Sequence, residues 1–354
     1  MADYFEEQKQ KYTLQLREII KSLPPFSDEF FRGIALTTSV KTRLGYAYDL
    51  RIFFNYILEY MEEFENKTMN DLTISDLDTI QSEDIDKFME YLSYYTKQDP
   101  KNVTVELEFQ NDEHGKARKL ASIRSLYKFF YKKKKIKANP ASIVDIPKIH
   151  EKAIIRLDVD EVAELLDEIE SGENLTKRQQ KFHEKLKIRD LALVTLLLGT
   201  GMRVSECVGI NIDDIDFKQN GVKITRKGGN QVILYFGDEV REALLNYIDE
   251  RNKDLAKTKD ETALFLSNRG TRITVRAVQN LVKKYSQIIT KVKTITPHKL
   301  RSTYGTNLYQ ETGDIYLVAD VLGHADVNTT KKHYAAIEES RRRSAAKKIK
   351  LRQD

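Results

Sequence analysis

The chain has 354 residues, 40% hydrophobic and 32% charged, which allows two domains with cores of their own and excludes disordered and membrane-embedded classes. One cysteine, Cys207, excludes an internal disulfide framework and a Cys-based zinc site. The net charge of +5 is modest but unevenly placed: residues 1–150 carry 23 Lys/Arg against 24 Asp/Glu, and residues 151–354 carry 36 against 30.

The opening residues Met1 to Glu7 have neither a basic start nor an apolar stretch, so no secretory signal is expected there. The longest apolar run, Leu191 to Gly199, is too short to span a bilayer and is interrupted by Thr195. A cytoplasmic protein is expected. Residues 1–36 read as a helical N-terminal extension broken at Pro24-Pro25. From Ser39 the apolar residues Val40, Leu44, Ala47, Leu50, Phe53, Phe54 and Ile57 recur at helical spacing, with Thr37, Thr38 and Ser39 as capping candidates. Asp71 to Gln81 reads as an acidic loop. Ser82 then starts a helix with Ile85, Phe88, Met89 and Leu92 on one face.

Residues 96–115 read as a polar stretch without regular structure, and a basic helix is predicted from Lys116 to Lys135. Its apolar stripe is Leu120, Ile123, Leu126, Tyr127 and Phe130. Lys116, Arg118, Lys119, Arg124 and Lys128, with the run Lys132, Lys133, Lys134 and Lys135, are candidates for contact with a nucleic-acid backbone. A solvated helix face accounts equally well for such charges taken alone. A domain boundary is placed near residues 148–155, giving a helical domain at 37–150 and a second domain at 151–354.

In the second half an amphipathic helix reaches about Ile169, charged residues 170–187 lead on, and a buried helix runs from Arg189 to Leu198. Gly199-Thr200-Gly201 breaks it. Two β-rich runs, Val222 to Thr225 and Gln231 to Phe236, flank the turn Arg226-Lys227-Gly228-Gly229-Asn230 and predict a hairpin. From Asp238 the pattern is helical, with Gly323 as a helix terminus and Asp326 as a cap for a short helix beyond it. The fold class is mainly α with one small antiparallel sheet. The basic run from Arg341 to Arg352 reads either as a docking tail or as a solvated one.

Phosphodiester exchange without a metal needs a nucleophile, cationic forks for the non-bridging oxygens, and an acid for the leaving oxygen. The C-terminal half supplies candidates for each. In Thr296-Pro297-His298-Lys299-Leu300-Arg301, proline suits a first helical turn, which leaves His298 and Arg301 on one face. Gly199-Thr200-Gly201-Met202-Arg203-Val204-Ser205-Glu206 brings a second arginine after a tight turn. Lys227 stands at a hairpin tip, His324 follows a helix end, and Tyr334 is one of 18 tyrosines. Each of these is common on surfaces when taken singly.

Together, the elements G-T-G-M-R-V-S-E at 199–206, R-K-G-G-N-Q at 226–231, T-P-H-K-L-R at 296–301, L-G-H at 322–324 and H-Y at 333–334 resemble, in order and spacing, the tyrosine recombinase/integrase family. With the helical N-terminal half, the resemblance covers roughly residues 37–340. It implies a two-domain clamp on DNA in which Arg203 and Arg301 hold the scissile phosphate. Lys227 is then the general acid, His298 shares in proton transfer, His324 hydrogen-bonds the phosphate and Glu206 orients its neighbours. Tyr334 attacks to leave a 3′-phosphotyrosine. No metal and no cofactor are implied. The implied partners are double-stranded DNA carrying an inverted-repeat recombination site and three further copies of the chain, a homotetramer on two sites, with accessory proteins left open. A Xer-like enzyme for chromosome dimer resolution is expected, in part because residues 1–36 look like the extended N-terminus of single-protein Xer systems. A compact mobile-element integrase is the alternative. A type IB topoisomerase and a non-catalytic DNA-binding relative are more remote.

Overall fold

The computed structural model describes residues 4–99, 102–149, 155–226, 228–253, 258–324 and 327. The chain divides into two compact units, residues 1–151 and 152–354.

In the first unit α1 (Tyr4–Ile20) and α2 (Ser27–Gly33) flank the Pro24-Pro25 break. Leu16, Ile19, Leu23, Phe26, Phe30 and Phe31 join the same buried cluster as Leu50, Phe53, Phe88 and Phe130. Each buried phenylalanine contributes roughly 1.5–3 kcal/mol, so these residues of the N-terminal segment share the core of this unit. Helix α3 (Val40–Tyr60) begins at Ser39, whose hydroxyl accepts from the Thr42 N–H at 3.2 Å. Helix α4 (Ser82–Tyr91) buries Ile85, Phe88 and Met89, as its periodicity predicts.

The stretch expected to lack regular structure instead forms an antiparallel hairpin, β1 (Tyr95–Asp99) with β2 (Asn102–Phe109). The signal was available: Val103, Val105, Leu107 and Phe109 alternate with polar residues at strand period. Leu107 and Phe109 remain 38% exposed, so this alternation does not mark a core face. An aromatic stack ties the hairpin down, with ring centroids 4.8 Å apart for Tyr91 and Tyr95 and 5.2 Å apart for Tyr95 and Phe109. Helix α5 (Glu113–Lys132) starts earlier than expected because the Asp112 carboxylate accepts from the Gly115 N–H at 2.8 Å. Its apolar stripe of Leu120, Ile123, Leu126, Tyr127 and Phe130 is buried.

The second unit opens with α6 (Val159–Ser171), capped by Asp158. Helix α7 runs from Lys177 to Thr200, far longer than the apolar run predicts. Its start is a capping box in which Thr176 and Gln179 satisfy each other's backbone, so the charged residues before Arg189 are helical too. Helix α7 packs against α6, α9 (Asp238–Lys253) and α11 (Pro297–Thr312). Helix α8 (Val204–Gly209) leads to a three-stranded antiparallel sheet of β3 (Ile215–Asp216), β4 (Gly221–Thr225) and β5 (Gln231–Tyr235). Its hairpin pairs Thr225 with Gln231, where the sequence places it. Helix α10 (Val275–Ile289) precedes α11, and α12 (Ile315–Leu322) ends at Gly323 with φ 62°. Among the described residues the fold is mainly helical with two small antiparallel sheets, one more than expected.

Candidate active site

Helix α7 ends because Gly201 takes φ 62°, a conformation glycine adopts without steric cost. The turn places Arg203 immediately before α8. Glu206, one turn on, accepts from the Arg203 backbone N–H at 2.7 Å and from its Nη1 at 2.8 Å. The Glu206 side chain is 3% exposed and that of Arg203 36%. One buried carboxylate therefore fixes both the backbone and the guanidinium of Arg203, leaving the guanidinium partly open to solvent.

Helix α11 begins with Pro297 in its first turn, as predicted. His298 lies on that turn and is exposed. Arg301 faces inward and is 5% exposed. Its Nη1 donates to the Gly201 carbonyl at 2.7 Å and its Nη2 to the Leu322 carbonyl. Both acceptors stand at helix C-termini, where unpaired carbonyls carry partial negative charge. A buried guanidinium is tolerable there because its donors meet oxygens.

The end of α12 is a meeting point for three arginines. Arg226 Nη2 donates to the carbonyls of Asp320 at 3.2 Å and Val321 at 2.8 Å. Arg301 donates to the next carbonyl, that of Leu322. Arg203 Nη2 reaches the one after, that of Gly323, at 3.2 Å. Four consecutive C-terminal carbonyls thus each accept from a guanidinium. His324 follows directly, half-buried, with its N–H donating to the Ala319 carbonyl at 2.9 Å. Tyr304 closes this region from α11. A Cβ at Gly201 would lie 2.3 Å from the Tyr304 ring, and burial raises the Tyr304 phenol above its ordinary pKa. Cys207, fully buried on α8, is pushed up to about 12 by burial and is no nucleophile.

The structure therefore brings Arg203, Glu206 and Arg301 to the turn that carries His324. Lys227, Tyr334 and the Asp326 cap lie outside the described residues. Arg226 is the residue that the motifs pass over, although it stands beside Lys227 in the quoted turn.

The proposed DNA contacts of α5 divide into two groups. Lys119 is 4% exposed and its Nζ donates to Asn111 Oδ1 at 2.6 Å; burial lowers its pKa. Arg124 is half-buried and donates to the carbonyls of Ala141, at 3.0 Å, and Val144. Neither faces outward as the sequence reading required. Arg118 pairs with the buried Asp49, and Lys116 donates to Ser93 Oγ at 2.7 Å. By contrast Lys128, Lys132, Lys133, Lys134 and Lys135 are exposed, with Lys133 and Lys135 at 3.3 and 2.6 Å from Glu29. Among the described residues no group of His, Cys, Asp and Glu is placed to hold a metal, and no helix is long and apolar enough to cross a membrane.

Residues 156–341 match the phage integrase family. Over 349 residues, 96% of this chain and 91% of the relative, the sequence is 34% identical to tyrosine recombinase XerC of Caldanaerobacter subterraneus subsp. tengcongensis. The chain belongs to the phage integrase family of tyrosine recombinases. As a tyrosine recombinase it is an enzyme of site-specific recombination, and DNA is its substrate. The recombinase is also 34% identical to tyrosine recombinase XerD of Staphylococcus haemolyticus over 215 residues, 61% of this chain and 69% of that one. Its fold is similar to that of the XerH site-specific recombinase bound to difH substrate, with a TM-score of 0.59 and 20% identity, covering 85% of this chain and 78% of that one.

Proposed function

We propose that the recombinase cuts DNA with Tyr334 and acts as a Xer-like enzyme. The observation that carries this reading is the convergence of Arg203 and Arg301 on the Leu322–Gly323 turn, directly before His324. The two guanidiniums bind the non-bridging oxygens of the scissile phosphate and neutralise the charge that builds on phosphorus. A free tyrosine has a pKa near ~10 and is a weak nucleophile at neutral pH; adjacent guanidiniums favour its anion. The Tyr334 oxygen forms a bond to phosphorus as the bond from phosphorus to the 5′-oxygen breaks. The leaving oxygen takes a proton from Lys227, His298 shares in proton transfer, and His324 donates to the phosphate. A 3′-phosphotyrosine and a free 5′-hydroxyl result. Attack by a 5′-hydroxyl reverses the step, so rejoining needs no nucleotide cofactor.

In this reading residues 37–150, which share a core with Leu16, Ile19, Leu23, Phe26, Phe30 and Phe31 of the N-terminal extension, form the core DNA-binding domain, and residues 151–354 form the catalytic domain. Lys128 and Lys132 to Lys135 are its backbone contacts in the first unit. The chain acts in the cytoplasm as a homotetramer on two inverted-repeat sites, in chromosome dimer resolution rather than mobile-element integration. The Xer names of the relatives matched over 96% and 61% of the chain support that choice.

The test is incubation with suicide DNA that carries a candidate site. Wild type yields a denaturant-resistant protein–DNA adduct, whereas Tyr334→Phe binds with unchanged affinity and yields none. An adduct that persists in Tyr334→Phe would overturn the assignment.

A further inference from the structure

The two glycines of the hairpin turn between β4 and β5 stand in open space. Gly228 and Gly229 take φ 103° and 92°, and a Cβ built at either would meet nothing within 4 Å. The turn closes through Arg226, whose N–H donates to the Asn230 carbonyl at 2.8 Å and whose carbonyl accepts from Gly229 at 3.0 Å. The side chain of this same residue reaches α12. Its Nη2 lies 3.2 Å from the Asp320 carbonyl and 2.8 Å from that of Val321, and its guanidinium lies close to Gly323. A Cβ at Gly323 would stand 2.4 Å from Arg226 Nη1 and 2.5 Å from its Cζ. The close approach needs a glycine at that position, and a planar cation at a helix C-terminus is favourable there.

We propose that Arg226 is a positioning residue for proton delivery, pinning the β4–β5 turn to the end of α12, the same helix end that Arg203 and Arg301 contact. This rests on the reading of Lys227 as the general acid. Carbonyls of Asp320 and Val321 hold Arg226, while those of Leu322 and Gly323 hold Arg301 and Arg203. One rigid helix end therefore sets the acid-bearing turn and the phosphate clamp in a common frame. Proton transfer needs heavy atoms within hydrogen-bond reach, and an exposed glycine turn without such a strut does not hold that distance.

Single-turnover cleavage by the full chain tests this on two suicide duplexes, one ordinary and one with sulfur in place of the bridging 5′-oxygen. In the ordinary duplex the electron pair leaves on oxygen, which requires a proton. In the other it leaves on sulfur, and a thiolate with a conjugate-acid pKa near ~8.5 departs unprotonated. Arg226→Ala is expected to slow cleavage of the oxygen duplex by about 10–100-fold, short of the ~10²–10⁴ a general acid supplies. Its DNA affinity and its rate on the sulfur duplex stay near wild type. Arg226→Lys, which keeps a cation able to reach one carbonyl, recovers part of the loss. Lys227→Ala shows a larger defect on oxygen and the same rescue by sulfur. Rescue of Lys227→Ala without rescue of Arg226→Ala, or an Arg226→Ala variant that cleaves the oxygen duplex at the wild-type rate, overturns the positioning role alone. Failure of sulfur to rescue Lys227→Ala overturns the general-acid reading and the positioning role with it.

Discussion

Arg203 and Arg301 are separated by nearly a hundred residues, yet their guanidiniums donate to the neighbouring carbonyls of Gly323 and Leu322. The C-terminus of α12 is thus a shared backbone template for both arginines of the proposed clamp. Such a template suits electrostatic catalysis, which depends on charges already in place before the reaction. Carbonyl oxygens also hold a guanidinium without neutralising it as a carboxylate would. Arg301 touches two such carbonyls, at Gly201 and Leu322.

Glu206 is a carboxylate in this arrangement, and it accepts from both the backbone and the guanidinium of Arg203. Glu206→Gln keeps the shape and the bond from the Arg203 backbone N–H but removes the charge. Because Arg203 is 36% exposed, solvent screens part of the pair, and a loss of about 1–2 kcal/mol in unfolding free energy is expected. Cleavage of suicide DNA should slow by roughly 10-fold, equal to ~1.4 kcal/mol of transition-state stabilisation, with affinity little changed. Denaturant melts and single-turnover rates read the two effects separately. An unchanged rate would remove Glu206 from the orienting role.

Gly201 and Gly228 provide a paired test of what glycine does here. Both have positive φ, at 62° and 103°. A Cβ at Gly201 would stand 2.3 Å from the Tyr304 ring, while one at Gly228 meets nothing within 4 Å. Left-handed backbone costs a side chain ~1–2 kcal/mol by itself. Gly228→Ala should lose about that amount. Gly201→Ala should lose at least ~3 kcal/mol, because Tyr304 must also move. Equal losses in thermal melts would mean that the ring yields freely.

Much of this site is legible in the sequence because its motifs encode local geometry. Gly201 and Gly323 end helices, Pro297 opens one, and the Gly228-Gly229 turn joins two strands. Arg226 was not legible, since its partners at Asp320 and Val321 lie more than ninety residues away and no spacing rule links a turn arginine to a helix end. Lys119 illustrates a different failure. It sits four residues before Ile123 and seven before Leu126, on the apolar stripe itself, so periodicity alone would have buried it. Reading the helix for charge concealed that position. The β1–β2 hairpin was hidden for a related reason, because its apolar alternation stands within a polar stretch.

Asp49 gives the first unit a pH signature. It is 1% exposed, its Oδ2 pairs with Arg118, and its Oδ1 makes no hydrogen bond among the described residues. Burial raises its pKa above the ordinary 3.8, against the opposing pull of Arg118 and Lys119. The unfolded chain then releases this proton at lower pH than the folded one. Its contribution to stability is complete below pH 3.8 and is lost as pH rises through the higher folded pKa. Asp49→Asn removes that loss. The difference in unfolding free energy between variant and wild type should shift in favour of the variant as pH rises from 3.8, and urea melts across that range measure it. A pH-independent difference would show that the Asp49 carboxyl titrates alike in the folded and unfolded chains, and a shift in favour of wild type would show that it is held ionised in the fold.

The lysines of α5 separate structure from DNA contact. Lys132 and Lys134 are exposed at the end of the helix, whereas the Lys119 ammonium lies at 2.6 Å from Asn111 Oδ1. A lysine that neutralises a phosphate releases condensed counterions, worth about 0.9 in the slope of log affinity against log salt for each contact. Lys132→Gln with Lys134→Gln should therefore lower the magnitude of that slope by up to ~2 while leaving the melting curve in place. Lys119→Ala should do the reverse. It removes a buried hydrogen bond and leaves Asn111 short of a donor, at about 1–3 kcal/mol in stability, with no change in the salt slope. Salt titrations of DNA binding alongside thermal melts distinguish these outcomes. A slope that falls in Lys119→Ala but not in the Lys132 and Lys134 pair would place the DNA on the opposite side of the helix from the one proposed.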